Sequence, residues 1–224
     1  MTYNTDHKKE ILNAARFLLW FTRLDLAEFL TGERKRVKFI EYYLPKLVEE
    51  GRLFVGRYRK NNVYTIRNKK SDSPSDIEHG LTCTEILLRI LRSYDGYELV
   101  SERFFKSKNL GVVPEWAIIF PTGAMMMLEC SMAGNFGRTK LMREKVRRYQ
   151  INLDRIEKDF NKWGIILFVF DAPRYKVSSF VDQYSPKDDA FYFVDLYSFL
   201  DVDGKQLSAP IYICGEDGKQ YPLD

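Results

Sequence analysis

Glu115 and Glu129, together with the lysines Lys140 and Lys145 beyond them, are the residues of this chain whose types and spacing could do chemistry. Glu115 follows Pro114 at the start of one strand-like run, and Glu129 lies near the end of the next, in Leu128-Glu129-Cys130-Ser131. Side chains alternate along a strand, so Met125, Met127, Glu129 and Ser131 share one face while Ala124, Met126, Leu128 and Cys130 share the other. Pairing the two runs lets both carboxylates converge at one end of a sheet. Such a pair offers hard oxygen ligands to a divalent cation, Mg²⁺ if the site is active, and a lysine reaching back could help to activate a water. The competing reading is two charges at strand ends, exposed or paired with the arginines of 138–148, with no cofactor expected.

A second set of residues suits binding. Residues 1–70 hold 16 of the 35 Lys/Arg and 8 of the 31 Asp/Glu, a net of +8, which leaves 19 and 23, a net of −4, for the remainder. The overall charge of +4 therefore conceals a basic module joined to a mildly acidic one. Clustered positive charge on a small module is the electrostatic footprint of something that meets phosphates. Arg34, Lys35, Arg36 and Lys38 form one group and Arg57, Arg59 and Lys60 another.

The elements that must position these groups follow from periodicity. Ile11, Ala14, Ala15 and Leu18 form a helical stripe over 7–19, and Leu24, Leu26, Ala27 and Leu30 a second one stopped by Thr31-Gly32. Val37, Ile40, Leu44 and Leu47 predict a third helix over 34–50, ended by Gly51, with Pro45 as an anomaly that kinks or interrupts it. Two strand-like runs, 52–58 and 63–67, flank Arg59-Lys60-Asn61-Asn62, whose asparagines tolerate the positive φ of a tight turn. Asn68 to Gly80 is polar and reads as a connector. Beyond it come a helix over 82–91, strands at 97–100, 116–120 and 124–130, a long basic helix over 138–163, an apolar run at 164–170, a helix around Phe180, a strand at 190–194 and a hairpin around Glu216-Asp217-Gly218. The expected architecture is α+β: a basic module at 1–70, a linker at 71–80 and a mixed sheet flanked by helices at 81–224.

Three short helices followed by a basic-tipped hairpin is the order of a winged helix-turn-helix, and LPKLVEEGRL, Leu44 to Leu53, resembles the end of that family's recognition helix. The resemblance implies that the third helix enters a major groove and the hairpin lies along the backbone. Arg34, Lys35, Arg36, Lys38, Arg57, Arg59 and Lys60 are then the candidate DNA contacts, and Arg34 or Arg36 could present a guanidinium fork to guanine. Six of the seven on phosphates would give a log-affinity against log-salt slope of about −5. Side chains scattered over unrelated faces, or folded in against carboxylates, would remove this reading.

The second module resembles the PD-(D/E)xK nuclease fold. Taken in order, His79-Gly80-Leu81, Glu102, Pro114-Glu115, Glu129-x-Ser131 and Lys145-Val146-Arg147-Arg148-Tyr149 resemble the replication-relaxation family, a winged helix joined to a PD-(D/E)xK-like domain. This likeness implies action in the replication or conjugative transfer of plasmids and integrative elements. Within it Glu115, Glu129 and Lys145 are the candidate catalytic set, and Glu115 and Glu129 the metal ligands if the site is active. Glu115 stands where an Asp is usual, and Ser131 stands where a hydrolytic member has its lysine. The domain is therefore expected to be degenerate, with Lys145 or Lys140 as a displaced helper.

Composition bounds the rest. Cys83, Cys130 and Cys214 are isolated in sequence and only His7 and His79 could assist them, so neither zinc nor a disulfide framework is expected. The longest apolar runs are too short to cross a bilayer, and a cytoplasmic location without membrane contact is the expectation. Met125 to Met127 read as core filling, and the cations of 138–148 as either a DNA surface or a solvated face. The function expected is that of a double-stranded DNA-binding protein of a mobile element, working as a homodimer, with other element proteins, or with a second contact from the 138–148 helix. Two rivals stay open: a metal-dependent DNA nuclease, and a winged-helix transcription regulator whose C-terminal domain senses a ligand or partner.

Overall fold

The computed structural model describes residues 5–66, 73–94, 96–100, 102–131, 139–184, 186, 190–200, 211–214 and 220–223. The chain divides into two units, Met1–Arg92 and Ser93–Asp224.

The first unit contains α1 (Thr5–Ala15), α2 (Arg23–Thr31), α3 (Lys38–Glu49), the strands β1 (Phe54–Tyr58) and β2 (Asn61–Thr65), and α4 (Pro74–Arg92). Its three short helices bury Ile11, Ala14 and Ala15, then Leu26 and Ala27, then Ile40, Leu44 and Leu47, which are the stripes that the spacing predicts. A capping box starts α2: the Asp25 amide donates to the Thr22 hydroxyl at 3.2 Å and the Thr22 amide to the Asp25 carboxylate at 2.7 Å. Left-handed Gly32 ends it. At the end of α3 the amide of Arg52 bonds Leu47 and that of Gly51 bonds Val48, a Schellman closure with Gly51 at φ 67°. Pro45 lies inside α3, which runs through it.

Three expectations are corrected in this unit. Helix α3 starts at Lys38, so Arg34, Lys35 and Arg36 belong to the turn before it; Val37, its N-cap, makes no side-chain cap, and no capping residue in 33–37 marked the start. The hairpin turns on Arg59-Lys60 alone, with Arg59 at φ 54°, while Asn61 and Asn62 sit in β2 opposite Tyr58 and Arg57. Residues 74–80, expected as connector, are the first two turns of α4. Ser73 caps them in a box with Asp76, and Pro74 occupies the first helical position, where its missing N–H costs nothing. The division between units accordingly falls after Arg92 and not in 71–80.

Helix α4 packs on its own unit through Trp20, Val63 and Ile77, joined by Tyr58 and Leu81. A Cβ on Gly80 would stand 2.6 Å from Trp20 Cδ1, so only glycine lets the helix approach this ring. Phe21 and Tyr64 exchange backbone hydrogen bonds of 3.0 and 2.8 Å, adding a one-residue bridge beside the hairpin.

The second unit contains β3 (Glu98–Val100), α5 (Glu102–Lys108), β4 (Trp116–Ile119), β5 (Ala124–Ser131), α6 (Thr139–Phe160), β6 (Trp163–Phe170), α7 (Arg174–Tyr184), β7 (Phe191–Asp195), α8 (Leu196–Leu200), β8 (Ile211–Cys214) and β9 (Gln220–Leu223). They build one mixed sheet in the order β3-β4-β5-β6-β7-β8-β9. The pairs β3–β4 and β4–β5 are antiparallel, β5–β6 and β6–β7 parallel, and the last two pairs antiparallel. Pro121-Thr122-Gly123 makes the expected turn between β4 and β5. Met125, Met127, Phe168, Phe170 and Phe193 pack against Val146, Tyr149, Leu153 and Ile156 of α6 and Val177 and Phe180 of α7. The methionines are core, as expected. Pairing of β8 with β9 gives the predicted terminal hairpin, whose turn, Glu216-Asp217-Gly218, lies outside the described residues, as does Arg138. No helix among the described residues is long and apolar enough to cross a membrane.

Candidate functional site

In the first unit the turn before α3, the start of α3 and the hairpin tip enclose a 320 Å³ cavity lined by Arg23, Arg34, Lys35, Arg36, Glu41, Asn61 and Asn62, among others. Alternation along the hairpin explains who faces it. Gly56 lies over Trp20, so Val55 and Arg57 point the other way, and Arg57 is the cross-strand neighbour of Asn62. Lys38 opens α3 beside cavity-lining Val37. The cations that line the cavity, Arg23, Arg34, Lys35 and Arg36, come from α2 and the turn before α3, and the hairpin contributes Asn61 and Asn62.

The seven predicted contacts divide into two classes. Lys38, Arg57 and Lys60 are exposed and, among the described residues, have no carboxylate partner. Arg36 and Arg59 stand 3.9 Å from Glu41 and Glu78, and Lys35 meets Glu33; all three cations are well exposed, where such pairs contribute little. Arg34 differs. Its guanidinium lies 2.7 Å from Asp25, 3.3 Å from Glu28 and 2.9 Å from Glu85, and Arg92 holds the other oxygen of Glu28. Asp25 and Glu28 are buried, so Arg34 neutralises carboxylates that water cannot reach. The Arg34 fork, offered with Arg36 as a candidate for a guanine edge, is here engaged by carboxylates of α2 and α4.

Two residues of the same face escaped sequence reasoning. Tyr42 is exposed at 44 %, one turn beyond Lys38, and Lys46 one turn further lies 3.8 Å over its ring and donates to its hydroxyl at 2.6 Å. Lys38, Tyr42 and Lys46 therefore form an i, i+4, i+8 row along α3. An aromatic that the helical stripe leaves on its outer side was the available signal.

In the second unit Glu115 immediately precedes β4, whose register begins Trp116↔Leu128, and its amide donates to the carbonyl of Leu128, the residue before Glu129, at 3.0 Å. Glu129 is 1 % exposed and faces α6. The Tyr149 hydroxyl donates to its Oε1 at 2.7 Å, and Lys145 Nζ pairs with its Oε2. Sequence reasoning named Lys145 as the displaced helper and did not name Tyr149 as Glu129's partner. Burial pushes the Glu129 carboxyl up to about 7, against the pull of Lys145 and Tyr149 and with a further push from Glu115. Burial also holds the Tyr149 hydroxyl well above its usual value, so it stays a donor. Burial works to lower the Lys145 ammonium, but the Glu129 carboxylate outweighs this and raises it.

The metal reading meets an obstacle in this arrangement. Both oxygens of Glu129 face donors, and the ammonium of Lys145 stands where a cation would sit. No group of three or more His, Cys, Asp or Glu side chains among the described residues could hold a metal ion. These residues suit a buried Lys145–Glu129–Tyr149 cluster better than a hard-cation centre. Ser131 Oγ is buried with no hydrogen-bond partner among the described residues. Glu102, another acid of the sequence pattern, opens α5 and pairs with Lys106 one turn on. His79 lies within α4, with its ring nitrogens 3.7 Å from the Sγ of buried Cys83 one turn on. No family model matches the chain, and no curated protein or solved structure matches it.

Proposed function

We propose that this chain is a double-stranded DNA-binding protein whose first unit works as a winged helix-turn-helix and whose second is a PD-(D/E)xK-like domain with its acid site turned to structural use. The observation that carries the reading is that Lys38 at the start of α3 and Arg57 and Lys60 of the hairpin stand exposed without carboxylate partners among the described residues. In support, α2, its turn and α3 have the order of a helix-turn-helix, and the hairpin joins Phe21 in a small sheet. Helix α3 lays Lys38, Tyr42 and Lys46 along a major groove, while Arg57 and Lys60 neutralise the flanking backbone. The order β3-β4-β5-β6, two antiparallel pairs and then a parallel one across α6, is compatible with the nuclease-like core. The Lys145–Glu129–Tyr149 cluster favours the non-catalytic reading.

The motif order from His79 to Tyr149 points the protein toward replication or conjugative transfer of a plasmid or integrative element. Footprinting of the full chain on the DNA flanking its own gene tests this. Protection at an origin or transfer region is expected; protection confined to the promoter would replace this role with transcriptional regulation, and no protection on any duplex would overturn the proposal.

A further inference from the structure

We infer that the cleft between α6 and α7 of the second unit binds the phosphate backbone of duplex DNA, a contact that rests on the DNA-binding reading and adds a second site to it. The cleft has a volume of 620 Å³ and is lined by Lys140, Arg143 and Arg147, with the amides of Gln150 and Gln183 and the ring of Tyr184. Positions 140, 143, 147 and 150 fall at i, i+3, i+7 and i+10, one face of a helix. Three cations therefore stand in a row. Among the described residues the only acid lining the cleft, Glu144, is engaged by Arg148 at 3.3 Å, and Lys140, Arg143 and Arg147 have no carboxylate partner. The guanidinium of Arg143 lies 4.6 Å over the Tyr184 ring, which holds it in the cleft while leaving its N–H edge for an acceptor.

The placement of these cations argues for a ligand over mere solubility. Helix α6 has no acid in its first turn, and positive charge near a helix start opposes the macrodipole. An anion in the cleft would compensate both. From Lys140 to Arg147 the row spans about 10 Å along the axis. A DNA strand presents a phosphate roughly every 3.4 Å of duplex axis, so the row meets about three of them.

The test uses the full chain, a fluorescent duplex and a salt series. In the Lys140→Gln/Arg143→Gln/Arg147→Gln variant, loss of three phosphate contacts should flatten the log-affinity against log-salt slope by about 2.7 and weaken binding at every salt. Replacing the two arginines by lysine should keep the slope. The three side chains are exposed, and an unchanged thermal melt confirms the fold. An unaltered slope in the glutamine variant would overturn this inference alone, provided that Lys38→Gln/Arg57→Gln/Lys60→Gln still weakens binding. If the wild type fails to bind duplex at all, the functional proposal falls and this inference falls with it. A loss seen only in the α6 variant would support the cleft while overturning the role given to the first unit.

Discussion

Replacing Glu129 by glutamine keeps the shape of the side chain and removes its proton equilibrium. The wild-type carboxyl is 1 % exposed and held at about 7 against an ordinary value of 4.5. Each pH unit of difference corresponds to about 1.36 kcal/mol, so the linkage amounts to about 3 kcal/mol. Between pH 4.5 and 7 the native carboxyl keeps a proton that the unfolded chain has lost, so native stability falls as the pH rises through this window. Below it the contribution is complete, and above it the loss is complete. The Glu129→Gln variant lacks this slope, whatever the other carboxylates do in both proteins. Urea unfolding, followed by pulsed hydrogen exchange at the β5 amides so that the signal belongs to the second unit, measures both proteins across the range. The wild-type stability minus the variant's should drop by about 3 kcal/mol from pH 4.5 to above 7. Parallel curves would refute the argument that burial sets this proton.

Gly80→Ala gains helix propensity of about 1 kcal/mol but drives a methyl into the buried Trp20 ring, an overpacking loss of about 1–3 kcal/mol. A net fall in the melting temperature of the first unit is expected, and a rise would contradict the close approach. Arg34→Met strips Asp25 of its ion-pair partner and leaves Glu28 with Arg92 alone, so the unit should lose about 1–3 kcal/mol in chemical denaturation. Its salt slope on DNA should match the wild type, since Arg34 is engaged by Asp25, Glu28 and Glu85; a flatter slope would return Arg34 to the DNA surface. Tyr149→Phe removes a buried hydrogen bond to Glu129, and spectroscopic titration of the carboxyl should find it above the wild-type value of about 7; an unchanged or lower value would refute the role of the hydroxyl.

The elements legible in the sequence were those with strong local signals. Apolar stripes located α1 to α3, Gly32 and Gly51 their ends, and Pro121-Thr122-Gly123 the β4–β5 turn. Alternation put Glu129 on one face of β5 with Met125 and Met127, while the ammonium of Lys145, named with Lys140 as a candidate helper, is brought to it by the packing of α6. What escaped was set by tertiary partners. Ser73-Pro74-Ser75-Asp76 carries the marks of a capped helix start, yet its polarity read as linker because nothing local showed that Ile77 and Gly80 meet Trp20. Arg34 looked like its neighbours Lys35 and Arg36; its separate fate depends on Glu28 and Glu85, brought together by the packing of α2 and α4. The hairpin turns on Arg59-Lys60 with Arg59 at positive φ, despite the preference of asparagines such as Asn61 and Asn62 for that position.

The claim that unpaired cations of the first unit grip duplex DNA is tested most directly by the salt dependence of binding in the full chain, wild type against Lys38→Gln/Arg57→Gln/Lys60→Gln. Loss of the two phosphate contacts of Arg57 and Lys60, with the groove contact of Lys38, predicts a slope shallower by about 1.8 and weaker binding throughout. Equal slopes and equal affinities would contradict it.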